Sequence, residues 1–198
     1  MAGLAKPSGA PSERADAIVS AAAACFERWG VVRTRMEDIA REAGISRPAL
    51  YQHFSGKDAL LLEVILRHIE SRGELLHEAL PRKGPAGPLL LKALMWGVTA
   101  SEGQAVVERI LGVDVVHETA KLIAESDRVA DALSAYWRPY VEHAKATGVL
   151  RKGVDVDRAV RWLTLIRFSF LSLPELAPAE HEMESYLRTF VVRALVDA

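Results

Sequence analysis

Arg47, Tyr51, Gln52 and His53 fall within two turns of one another if the chain is helical there. A guanidinium, a phenol, a carboxamide and an imidazole are all hydrogen-bond donors that reach past a protein's own surface. Set along one short helix, they suit nucleic acid. The first turn of such a helix meets base edges in a major groove, and flanking donors meet phosphate oxygens. Thr34, Arg35 and Lys57 lie close by in sequence and add a hydroxyl and two cations. The competing reading is an ordinary pair of amphipathic helices with a solvated polar face, because capped helix pairs are common.

The residues around these donors describe the elements that would position them. Thr34 and Glu37 have capping-box spacing and predict a helix start. Ile39, Ala40 and Ala43 give that helix one small, apolar face. Gly44 tolerates positive φ and allows a sharp end. Ser46 is a second N-cap, Pro48 falls in the first turn that follows, and Ile45 with Leu50 fits a hydrophobic staple. Leu50 and Phe54 stand at i and i+4, opposite the donors, and anchor the second helix. Two capped helices around one glycine form a helix-turn-helix. A preceding helix starts at Ser12, repeats Ile18, Ala22, Phe26 and Trp29 at helical spacing, and stops at Gly30. A following helix starts at Ser55, carries Leu60, Leu61, Val64, Ile65 and Ile69, and reaches about Leu80 before the proline- and glycine-rich stretch 81–88.

Gly30, Thr34, Asp38-Ile39-Ala40, Ala43-Gly44-Ile45-Ser46, Leu50-Tyr51, His53-Phe54, Lys57 and Leu60 together form a pattern that resembles the DNA-binding domain of the TetR (tetracycline-repressor-like) family of bacterial regulators. The resemblance covers residues 12–60. It implies that Arg47, Pro48, Ala49 and Tyr51 lie at base edges, and that Thr34, Arg35, Gln52, His53 and Lys57 hold phosphates. Arg35 stands where a small hydroxyl residue is common, and Gln52 where an aromatic residue or histidine is common. The resemblance further implies a small-molecule site among the helices after the linker, and a dimer built from the last two long helices.

The remainder of the chain is helical in pattern, with expected helices near 88–101, 104–124, 127–147, 155–173 and 180–197. Gly103, Gly148, Gly153, Pro174 and Pro178 fall between them. The segment Trp162–Leu173 is apolar on nearly every side, so it must be buried on all sides, either within its own chain or against a second copy. Ile166, Leu173, Met183, Leu187, Phe190 and Ala194 are the expected dimer residues. For the effector, the expected lining is Trp96, Thr99, Leu111, Asp114, His117, Tyr136, Tyr140 and Trp162, a mainly apolar mixture that suits a lipophilic ligand. Plain core packing is the simpler reading of each of these taken singly. Arg167 is a lone cation in Leu163–Leu173. Pairing across the dimer or reaching the surface ranks above meeting an acidic ligand. Asp114, His117 and Glu118 could share a helix face, but three such residues without a second cluster read as a polar wall rather than a metal site.

Composition sets limits on these readings. Half of the 198 residues are hydrophobic and the formal net charge is −1, which argues against a general nucleic-acid coat protein and in favour of a local basic patch. A single cysteine, Cys25, excludes an internal disulfide and suits a reducing cytoplasm. Residues 1–11 have no apolar core and read as a flexible tail rather than a signal peptide, and no run approaches membrane-span length. There is no phosphate loop, nucleophile elbow or paired-cysteine motif, so neither an enzyme nor a cofactor or metal is expected.

The expectation is therefore an all-α protein. Residues 1–11 form the tail, 12–56 a three-helix DNA-binding domain, 57–80 a connecting helix, and 81–198 a helical domain for effector binding and dimerisation. The expected function is a cytoplasmic, homodimeric repressor, released from a palindromic operator on double-stranded DNA by a small lipophilic effector. An architectural or cell-division factor on the same fold, without an effector, is the alternative.

Overall fold

The computed structural model describes residues 11–98, 110 and 115–197. Residues 1–10 of the expected tail 1–11, and the expected effector residues Thr99, Leu111 and Asp114, lie outside the described residues, and Pro11 already belongs to the first helix. Among the described residues there is no strand, only an isolated antiparallel bridge between Leu150 and Val196. Among the described residues no helix is long and apolar enough to cross a membrane.

The chain divides into two compact units, one of residues 1–68 with 102–126 and one of 69–101 with 127–198. This grouping differs from the expected division, which assigned everything after residue 80 to one domain.

The first unit is built from α1 (Pro11–Arg33), α2 (Met36–Glu42), α3 (Arg47–His53), the first half of α4 (Lys57–Ala79) and α6 (Val116–Ala124). Ile18, Ala22, Cys25 and Phe26 of α1, Ile39 and Ala40 of α2, Leu50 of α3, and Leu60, Leu61 and Val64 of α4 are buried, as their helical spacing requires. Burial pushes the Cys25 thiol up, and the carboxylates of Glu42 and Asp38 add to that shift, so the sulfur is an inert packing group. A kink at Gly30 divides α1, with the last turn continuing to Arg33.

In the second unit α5 (Ala86–Val98) packs against α7 (Asp127–Ala146), α8 (Val156–Ser172) and α9 (Glu180–Leu187). Leu90, Leu94, Trp137, Tyr140, Leu163 and Leu187 are fully buried at the centre. The far half of α4 adds Leu76 to this core. The Tyr140 hydroxyl donates to the carbonyls of Leu76 (3.3 Å) and Leu80 (3.1 Å), which ties that end of α4 to α7. Gly97 lets α5 approach Trp137 closely, and a larger residue would push the ring back by a few tenths of an ångström. A Cβ at this position would stand 3.1 Å from the Trp137 ring.

After Leu187, α9 changes hydrogen-bonding pattern. Arg188–Val192 form a π-helical turn, and Arg193–Leu195 return to α-helix. Phe190 is exposed while Val191 and Val192 are buried. The end of the chain is pinned to the turn after α7. Arg151 N–H donates to Leu195 O, Asp197 N–H donates to Val149 O, and the side chains of Arg151 and Asp197 pair at 3.3 Å.

Candidate nucleic-acid interface

The turn between α2 and α3 forms as its residue types dictate. Gly44 adopts φ +66°, the left-handed region that lets the chain reverse without strain. The Ser46 side chain accepts from Ala49 N–H at 3.3 Å and so caps α3, with Pro48 in the first turn. Leu50 is buried beneath α3, and burial of a leucine of this kind stabilises by about 1.5–3 kcal/mol. With that face fixed, Arg47, Pro48, Tyr51, Gln52 and His53 are all exposed, and Ala49 is half-buried.

Arg47 is not idle on this surface. Its guanidinium pairs with Glu37 of α2 at 2.7 Å and lies over the Tyr51 ring, 5.5 Å from the centroid. A hydrogen bond with Tyr51 and the charge of Glu37 both push its pKa up, so it is a permanent cation. The group is thus held in place before any partner arrives, which lowers the ordering cost of a later contact. Glu37 has the opposite effect on a polyanion, because it must release Arg47 and is itself repelled. Glu37→Gln is expected to strengthen DNA binding by about 0.2–1 kcal/mol, the range for an exposed ion pair. Titrating labelled DNA with both proteins checks this. Weaker binding by the variant would mean that Glu37 acts by aiming Arg47.

Three expectations from the sequence need correction here. Thr34 is 1% exposed, and its hydroxyl donates inward to the carbonyls of Gly30 (2.7 Å) and Cys25 (3.2 Å), so it braces the end of α1 and is unavailable to phosphate. Nor do Thr34 and Glu37 form the capping box. The start of α2 falls one residue later, where the Asp38 carboxylate accepts Arg35 N–H at 3.1 Å. Lys57 Nζ donates to Val31 O (2.8 Å) and Thr34 O (3.4 Å), so most of its donor capacity organises the α1–α2 turn. Arg35 is exposed at the start of α2. Glu37, expected as a capping residue, instead pairs directly with Arg47. Its signal was a carboxylate one turn into the helix that precedes the recognition helix.

The expected effector residues scatter. His117 is exposed on α6 and belongs to the first unit. Trp162 is 42% exposed on the outer side of α8, so it lines no interior site. Tyr140 is a satisfied core residue, and burial pushes its phenol up to about 12. Tyr136 is buried and Trp96 partly buried, both within the second unit. Among the expected dimer residues, Met183 and Leu187 are packed into their own unit's core and are unavailable to a partner. Leu173, Phe190 and Ala194 are exposed, and Ile166 is half-buried. The exposed apolar face instead gathers Trp162, Leu165 and Leu173 along α8 with Tyr186 and Phe190 along α9. The rings of Phe170, Tyr186 and Phe190 follow one another at 6.2 and 4.9 Å. Among the described residues no group of histidine, cysteine and carboxylate side chains could hold a metal.

Comparison with known proteins agrees with the architecture. Residues 18–64 match the family described as bacterial regulatory proteins, tetR family. The transcriptional activator FasR of Mycolicibacterium smegmatis is 40% identical over 68 residues, which are 34% of this chain and 31% of that protein. Across the first curated relatives the chain matches between 31% and 50% of their length. A regulator structure from a Rhodococcus species superposes with a TM-score of 0.68, covering 94% of this chain and 100% of that one at 22% identity, a likeness of fold alone. NalD, the secondary repressor of the MexAB-OprM multidrug efflux pump in Pseudomonas aeruginosa, superposes with a TM-score of 0.59, at 26% identity over 93% of this chain and 98% of NalD.

Proposed function

We propose that this chain, whose residues 18–64 match the tetR family of bacterial regulatory proteins, is a DNA-binding transcriptional regulator, a homodimeric repressor released from a palindromic operator by a small organic ligand. The observation that carries this reading is the exposed row on α3. Arg47, Tyr51, Gln52 and His53 all face outward from a helix whose opposite side is locked by Leu50. In this reading Arg47, Pro48, Ala49 and Tyr51 meet base edges. Arg35, Gln52 and His53 hold phosphates, with the remaining donor of Lys57. The exposed aromatic and aliphatic face of α8 and α9 is the surface expected of a two-fold contact, because large apolar patches on a soluble chain mark interfaces. Two copies then present two recognition helices to half-sites about 34–36 Å apart.

Repression needs nothing beyond occupancy of the groove, whereas activation needs a further surface to recruit a partner. The ligand acts by favouring a state with a different spacing of the α3 helices, and it can shift the balance only by its differential affinity for the two states. Helix α4 is the connection. It begins at Lys57, beside the α1–α2 turn, and its far half belongs to the second unit. A single buried thiol and a DNA target suit the cytoplasm.

Selection of binding sites from random duplex DNA tests the reading. The expected result is an inverted repeat with half-sites one helical turn apart, bound with a steep salt dependence. Recovery of DNA with no shared sequence would favour an architectural factor on the same fold.

A further inference from the structure

Among the described residues the interior of the second unit holds two guanidinium groups and no carboxylate to meet them. Arg72 of α4 is 9% exposed and Arg167 of α8 is 7% exposed. Arg72 donates to the Trp96 carbonyl at 3.0 Å and stacks over the Trp96 ring at 5.0 Å. Arg167 donates from Nε to the Gly97 carbonyl at 3.2 Å and lies over the Tyr136 ring at 5.0 Å. Among the described residues no aspartate or glutamate is buried, and neither arginine has an ion pair. A guanidinium carries a fork of N–H donors, and one carbonyl uses only part of it.

The neighbouring groups show the same imbalance. The Tyr136 hydroxyl, Trp96 Nε1 and Trp137 Nε1 are buried without a hydrogen-bond partner among the described residues. Tyr136 and Trp137 stand ring to ring at 4.7 Å, and the absence of a side chain at Gly97 lets Trp137 and Arg167 close on α5. Burial first, and then the charge of Arg72, lower the Arg167 pKa, yet a guanidinium keeps its proton in proteins. Burial holds the Tyr136 phenol in its protonated, donating form. The cluster therefore has a surplus of donors and positive charge and a deficit of acceptors. If the arginines served only to fasten α5, apolar side chains would fill the space at lower electrostatic cost.

We propose that Arg72, Arg167 and Tyr136, walled by Trp96 and Trp137, form the recognition site for an organic anion with an oxyanion head, foremost a carboxylate, on an apolar body. Guanidinium forks match such heads with two parallel hydrogen bonds, and the aromatic walls receive the body. This rests on the ligand-responsive reading above and gives the ligand its chemical class. It also removes two alternatives for Arg167, which is too deeply buried in its own chain to reach solvent or a second copy.

The test titrates the full-length protein with decanoate and naphthylacetate, each beside its methyl ester, and with decyl phosphate, following tryptophan fluorescence and melting temperature. At least one of the anions should bind about tenfold or more tightly than its neutral ester, since the ester lacks the charge that both arginines require. Preference for decyl phosphate over decanoate would identify a phosphate-type head at the same site. Arg167→Met and Arg72→Met should fold, melt no lower than the wild type when unliganded, and lose the preference for acid. Tyr136→Phe should weaken acid binding while leaving unliganded stability unchanged, because its hydroxyl has no partner to lose. The proposal fails if no anion binds better than its neutral ester, or if both methionine variants keep the full preference. Binding to the selected operator separates this from the reading it rests on. Anion binding that leaves operator affinity unchanged would keep the site and refute the effector mechanism. Release by the neutral esters alone would do the reverse.

Discussion

Phe190→Glu is expected to give a folded monomer that no longer holds the proposed operator. Phe190 is 61% exposed in the single chain, so a glutamate there meets water and disturbs no core contact. In the proposed two-fold assembly the same residue would be buried twice, with its neighbour Tyr186 at 4.9 Å and the exposed Trp162, Leu165 and Leu173 of α8 in the same contact. Two unpaired carboxylates in one apolar contact cost more than a marginal interface can supply. A monomer engages one half-site at a time and loses the effective concentration of the second, so operator affinity should fall by about 10²–10⁴-fold. Sedimentation, circular dichroism and operator titration together check the three parts. A stable dimer with unchanged affinity would place the interface elsewhere. Leu187→Glu is the wrong substitution for the purpose, because Leu187 is fully buried in its own unit and the variant would report unfolding.

The second large effect is expected at Arg47. Truncation to alanine removes a cation already held against Glu37 and Tyr51, on the first turn of α3. The loss should be about 1–3 kcal/mol per half-site on the preferred sequence, with preference relaxed at one position of each half-site. Repeating the site selection with the variant shows whether base preference changes. A uniform loss across all sequences would make Arg47 a phosphate contact instead. Arg47→Ala and Glu37→Gln touch one another, so their effects should not add in the double variant.

The helix-turn-helix was legible because its signals are local. Gly44, Ser46, Pro48 and Leu50 act through neighbours within one turn, and each behaves as its residue type requires. The ends of α4, α7 and α8 fell within a few residues of expectation for the same reason. What failed was information held elsewhere in the chain. A threonine at cap spacing carries no sign that the carbonyl of Cys25, nine residues earlier, will take its hydroxyl. A helix apolar on several sides does not reveal which side faces its own core, so Met183 and Leu187 were grouped with Phe190. Arg72 went unnoticed although it continues the stripe Ile65, Ile69, Leu76, where a cation is out of place. Pro139 gave no warning either, because α7 runs through it from Asp127 to Ala146.

The π-helical turn at Arg188–Val192 has a consequence for comparing this chain with others. It fits one more residue into a single turn, so the helical phase after it is offset from the phase before it by about 100°. A relative with an unbroken α-helix here would align residue for residue up to Leu187 and then slip by one position, with its counterparts of Leu195 and Val196 pairing against the wrong columns. Deleting one residue from the turn would regularise the backbone and leave Leu195 and Val196 facing the core, whereas winding the full-length segment as a regular α-helix would turn them away from it and break the pin to Leu150. The irregularity therefore works as a phase adjuster. It lets Met183 face the inside and Phe190 the outside, although the two stand seven residues apart and would share one side of an unbroken α-helix.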